Sequence, residues 1–141
     1  MSAIDRYVAK ANAFLKELAG ELGLEYPAQK DKALRILRTV LHTLRDRISA
    51  EESLDLIAQL PLIIKGIYVD GWRTSTHPIK RFKHVDEFVQ AVMERDPNDF
   101  KDPQETLQTI KKVFKVIERH VSEGEIKDIK SVLPEELREL L

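Results

Sequence analysis

Residues 33–68 read ALRILRTVLHTLRDRISAEESLDLIAQLPLIIKGIY, and residues 106–141 read TLQTIKKVFKVIERHVSEGEIKDIKSVLPEELRELL. The two stretches align without a gap over 36 positions at an offset of 73. Seven positions are identical: Leu34/Leu107, Val40/Val113, Ser49/Ser122, Glu52/Glu125, Asp55/Asp128, Leu60/Leu133 and Pro61/Pro134. Others match in kind, among them Leu41/Phe114, Leu44/Ile117, Ile48/Val121 and Leu56/Ile129. Two amphipathic helices resemble each other through periodicity alone. The shared serine and the shared Leu-Pro break lie outside that periodicity, so the match reads as an internal repeat.

Each copy has the same physical grammar. Leu34, Leu37, Leu41, Leu44 and Ile48 alternate in steps of three and four, as do Leu107, Ile110, Phe114, Ile117 and Val121. That spacing puts one apolar stripe on one helical face. The stripes stop at Ser49-Ala50-Glu51-Glu52 and Ser122-Glu123-Gly124-Glu125. Both are Ser-x-x-Glu, the capping box, in which the serine oxygen takes a free N–H of a new helix and the glutamate reaches back to the serine N–H. A short apolar helix should follow, carrying Leu54, Leu56, Ile57 and Leu60 or Ile126, Ile129, Val132 and Leu133, until Pro61 or Pro134 stops it and opens another. The predicted unit is long helix, tight turn, short helix, proline break, final short helix.

A further helix precedes each unit. Ile4, Val8, Ala11, Leu15, Leu18 and Leu22 share a helical face, with Ser2 placed to cap its start and Gly23 its end. Val85, Phe88, Val89, Val92 and Met93 form a shorter stripe ending at Asp96-Pro97. The next helix opens at Asp102-Pro103-Gln104-Glu105, with aspartate as cap and proline at the first position. No segment alternates long enough to read as a strand. The expected fold is all-α: a bundle of about eight helices built from two four-helix repeats related by a pseudo-twofold. Residues 1–68 form the first half, 69–84 the connection and 85–141 the second half. Each half is marginal for an independent core, so one domain over 1–141 is expected.

Composition narrows the function. The 141 residues carry 23 Lys+Arg against 24 Asp+Glu, which excludes a strongly basic nucleic-acid binder and an acidic disordered tail as whole-chain descriptions. The chain has no cysteine, which removes disulfides, thiol nucleophiles and zinc–thiolate sites. No stretch approaches the roughly 20 apolar residues of a membrane span, and the first residues lack the basic and apolar regions of a secretory signal. A soluble cytoplasmic protein is expected.

One combination of residues carries a resemblance. The run Leu-Arg-Asp-Arg-Ile-Ser-x-Glu-Glu, then Ala58-Gln59-Leu60-Pro61, then Tyr68-x-Asp70-Gly71-Trp72 and a proline-containing loop, resembles the bacterial domain-of-unknown-function family DUF2267. The closing stretch from Val121 to Arg138, with its Ser-x-Gly-Glu and Leu-Pro-x-Glu-Leu-Arg, is similar to the same family. The resemblance spans the chain from about residue 14. It implies an all-helical, cytoplasmic bacterial protein, and it implies no chemistry.

The connection has no counterpart in the repeat and holds the best functional candidates: Trp72, Arg73, His77, Lys80, Arg81, Lys83 and His84. Residues 1–68 carry net +1, residues 69–86 net +2 and residues 87–141 net −4. Cations beside a tryptophan can hold a phosphate, a carboxylate or a nucleic-acid backbone. The plainer reading is a solvated crossover in which Trp72, Ile79 and Phe82 pack down, or one whose cations meet the acidic C-terminal half. His77 and His84 match no zinc spacing, and His42 and His120 read as ordinary helix residues. Asp55 and Asp128 recur with the capping glutamates; paired acids on symmetry-related helices can form a metal or acid–base site, but acids near a helix start also complement the helix dipole, and that plain stabilisation is the expected role. No metal, no cofactor and no nucleic acid is therefore expected. P-loop, Gly-x-Ser-x-Gly and His-Glu-x-x-His motifs are absent from the sequence, which favours a non-enzymatic reading. The favoured function is a binding or regulatory module that captures a protein segment or anionic ligand near residues 70–84. The alternatives are a self-associating structural protein, which should show an exposed apolar patch, and a small enzyme, which should place a histidine beside a carboxylate inside a pocket.

Overall fold

The structure is a computed structural model that describes residues 1–73 and 81–141. It is all-helical, with no strand among the described residues. The helices are α1 (Ala3–Leu22), α2 (Lys30–Arg47), α3 (Ala50–Ile57), α4 (Leu62–Val69), α5 (Val85–Arg95), α6 (Pro103–Glu118) and α7 (Glu123–Val132). A 3-10 segment, Glu135–Leu140, closes the chain where the repeat places α4 in the first half.

The helix ends follow local chemistry. Ser2 and Asp5 close a full capping box on α1. Gly23 ends that helix at φ 72°, a left-handed conformation that glycine adopts without penalty. Asp102 caps α6, its Oδ2 accepting from the Glu105 N–H at 2.8 Å, with Pro103 at the first position. Ser49 and Ser122 cap α3 and α7, each accepting from the glutamate N–H three residues on, at 3.1 and 3.2 Å. The return half of these two boxes is not formed. The Ser122 N–H is taken instead by Gln59 Oε1 at 2.6 Å, a bond between the halves, and the glutamate side chains turn elsewhere.

Buried side chains from both halves form one hydrophobic cluster that runs from Phe14 on α1 to Leu140 at the C-terminus. Helix α1 packs on α2, α4 and α6, and α5 packs on α6, the 3-10 segment and α2. Each α1 contact thus has a counterpart for α5 when the halves are exchanged. The α2–α6 and α3–α7 pairs map onto themselves under the same exchange.

Two sequence readings need correction. Ile4 and Val8 were expected on the buried stripe of α1, yet they are 68% and 43% exposed. Burial on α1 begins at Ala11, and the first two turns carry their apolar face into solvent. Leu54 and Val132, expected among the apolar positions of the short helices, are also exposed. Short helices packed along one line have room for few buried residues each.

Candidate functional site

At the end of α2, Arg45 and Arg47 bind backbone on either side of the connection, and Asp46 between them reaches α5. Arg45 is buried, and its Nη1 donates to the Tyr68 carbonyl at 2.6 Å and the Asp70 carbonyl at 2.9 Å. These are carbonyls at the C-terminal end of α4, where intrahelical donors run out and a cation also meets the negative end of the helix dipole. Arg47 Nε donates to the Phe82 carbonyl at 2.8 Å, where the chain returns. Between them, buried Asp46 forms an ion pair with Arg95 at the end of α5. The second half places Arg119 at the position matching Asp46. Its guanidinium pairs with Glu17 and Glu21 of α1 at 3.0 and 3.2 Å. Both halves therefore tie the end of the long helix to the first helix of the other half, with the charges reversed.

Beside this anchor lies a broad open groove of about 1300 Å³ over α5. Phe82, Val89 and Leu107 give it an apolar floor, and Thr43 and Asp46 reach it from the first half. Its rim is acidic: Asp86, Glu87, Glu94 and Glu136 all line it. Glu136 pairs with His84, Nδ1 to Oε2 at 2.7 Å, and its other oxygen accepts the Val85 N–H at 3.2 Å. Glu87 accepts from the Lys83 and His84 N–H groups, both at 3.1 Å. Among the described residues, Asp86, Glu87 and Glu94 have no cationic partner within ion-pair distance.

The candidate residues of the connection are dispersed. Trp72 is half-buried, its ring set edge-on against buried Tyr68 with centroids 5.9 Å apart. Arg73, Arg81 and Lys83 are exposed. His84 is exposed and is the one candidate among the described residues that lines the groove. His77 and Lys80 lie outside the described residues. The connection and the C-terminal segment meet at His84 and Glu136. Of the helix histidines, His42 Nε2 donates to the Ile67 carbonyl at 2.8 Å and His120 pairs with Glu17 at 2.9 Å.

His84 and Glu136 place a histidine against a carboxylate on the open lining of the groove, with both side chains largely exposed. Glu136 pushes the His84 pKa up, through its hydrogen bond and its charge, which favours the imidazolium. The same carboxylate caps the first N–H of α5. The pair works as a clasp between the C-terminal segment and the start of α5.

Sequence reading missed Arg45, Asp46 and Arg47 because three charges at a helix end read as a solvated face. It missed the groove because the rim acids are spread over α5 and the C-terminal segment. The one available signal was the charge of Asp46 at a position flanked by the stripe residues Leu44 and Ile48.

No helix among the described residues is long and apolar enough to cross a membrane. No curated protein matches the chain. A family model described as an uncharacterized conserved protein, DUF2267, matches residues 11–140, a span that opens at the residue where burial on α1 begins. A match over that much of the chain, with the repeat and the Leu-Pro breaks inside it, shows that the protein belongs to the uncharacterised DUF2267 family.

Proposed function

We propose that the protein is a non-enzymatic binding module and that the groove over α5 takes a basic, apolar-faced segment of a partner protein. The observation that carries this reading is the groove's composition: a floor of Phe82, Val89 and Leu107 beneath the carboxylates of Asp86, Glu87 and Glu94, which form no ion pair among the described residues. An apolar floor rewards burial of an aliphatic face, and unpaired rim acids steer and orient lysine or arginine. The same acids oppose an anionic ligand, so of the two occupants expected from the sequence the protein segment is the better supported.

The test is photocrosslinking in the native host, with benzoylphenylalanine replacing Gln90 in the groove or Lys10 on the far part of α1. The expected result is a crosslink from position 90, absent from position 10, to a segment of net positive charge. Its yield should fall when Asp86 and Glu94 are both changed to lysine. Crosslinks to an acidic segment, or equal labelling from both positions, would overturn the reading.

A second reading has its own observation. Ile4, Tyr7 and Val8 fall on one face of α1 and are all exposed, which favours self-association through the helix N-terminus. Sedimentation velocity tests it: a mass that rises with concentration in the wild type and stays monomeric in Ile4→Glu/Val8→Glu supports self-association, and a monomer throughout removes it.

A further inference from the structure

The return half of two capping boxes is missing, and the glutamates concerned meet each other. Glu52 is the third residue of α3 and Glu125 the third productive position after Ser122 at the start of α7. Helices α3 and α7 pack together, so the repeat brings its two Glu-x-x-Asp pairs to one seam between the halves. One carboxylate oxygen from each of Glu52, Asp55 and Glu125 lies within 4.8 Å of the other two. Asp128, the counterpart of Asp55, is close enough for its charge to act on both glutamates.

Glu125 supplies a second, separate observation. It is only 9% exposed, and its Oε1 is buried and has no hydrogen-bond partner among the described residues. Oε2 of Glu52 is buried and unpartnered in the same way. Among the described residues none of the four acids forms an ion pair. Burial and the neighbouring carboxylates raise the pKa of both glutamates. An enclosed carboxylate oxygen with nothing to accept from is costly, and a fold keeps such a group where something else satisfies it.

We propose that the α3–α7 seam is a binding site for one hard divalent cation, held by Glu52, Asp55 and Glu125 with Asp128 as a neighbouring charge. The donor set is oxygen alone, which suits calcium, magnesium or manganese and not zinc or copper. The spacing fits a single ion: two oxygens on opposite sides of a calcium at its usual bond length stand about 5 Å apart. Asp55 is exposed, which leaves an entry path and room for water to complete the coordination shell. Glu52 and Glu125 stand in the first turns of α3 and α7, where the positive dipole ends ease their crowding without neutralising them. The ion would tie the halves together at the seam, a role separate from the groove over α5.

The test uses full-length protein stripped with chelator. Thermal melts are recorded with CaCl2, MgCl2 or MnCl2 against NaCl of matched ionic strength, and binding is followed by calorimetric titration of the same salts. The expected result is a saturable rise in Tm with at least one of the three ions and a stoichiometry of one per chain. Glu125→Gln should melt higher than the wild type without metal, because a buried repulsive charge is gone, and should show no metal response. Asp55→Asn, at an exposed position that leaves the packing intact, should weaken binding about tenfold. No rise beyond that of NaCl with any of the three ions, or a full response retained in Glu125→Gln, would overturn the proposal.

Discussion

Arg45 is the residue on which the entry to the connection depends. Its guanidinium is buried and donates to two carbonyls at the end of α4. Arg45→Met keeps the aliphatic bulk and strips both carbonyls of their donor, so it should cost on the order of 2–4 kcal/mol. Urea midpoints measure this; an unchanged midpoint would remove the anchor role. The His84–Glu136 clasp makes a prediction in pH. Glu136 raises the His84 pKa, so the pair's contribution is full below about pH 6.5 and fades as pH rises through the higher folded value. His84 in turn lowers the Glu136 pKa, so the contribution is present above about pH 4.5 and is lost as pH falls through the lower folded value. The difference in Tm between wild type and His84→Gln should therefore be largest near pH 5.5 and shrink by pH 9. A difference independent of pH would contradict the clasp. His84 was legible as a candidate because it is a histidine in a basic stretch. Glu136 was not, since it stands 52 residues away and only folding unites them.

At the scale of elements, the caps were legible and their partners were not. Ser49 and Ser122 each hold one N–H of a following helix, and replacing either with alanine should cost about 1 kcal/mol. Ser122 also meets Gln59 twice across the halves, so Ser122→Ala should cost at least as much as Ser49→Ala. Denaturant midpoints unchanged within error for both variants would discard the caps. The Ser-x-x-Glu pattern correctly located two helix starts. It misdirected the glutamates, because a local rule sees only the chain's own backbone, whereas in the fold each glutamate faces the matching helix of the other half. Helix α1 shows the same limit from the other side: its stripe is continuous from Ile4 to Leu22, but the neighbours that bury it begin only at Ala11.

For the whole molecule, the two halves bury their apolar faces in one cluster, and both the groove and the acidic seam draw residues from each half. The repeat made this organisation readable, since a half of some 70 residues with two open faces needs a second half to cover them. The shape of the groove was not readable, because it depends on where α5 crosses the end of α2. Leu60 is 4% exposed and belongs to the shared cluster, while Pro61 only opens α4. Leu60→Asp should therefore unfold the protein at a temperature where Pro61→Ala remains folded; equal melting would count against the core assignment. We propose that residues 1–141 fold as one cooperative unit, the central claim on which both proposed sites rest. The most direct test is urea unfolding followed at once by Trp72 fluorescence, which reports its contact with Tyr68 in the first half, and by far-ultraviolet circular dichroism, which reports every helix. A single shared midpoint and slope is the expected result. A dichroism curve in two steps, with the fluorescence following only one of them, would contradict a shared core and leave each half to fold on its own.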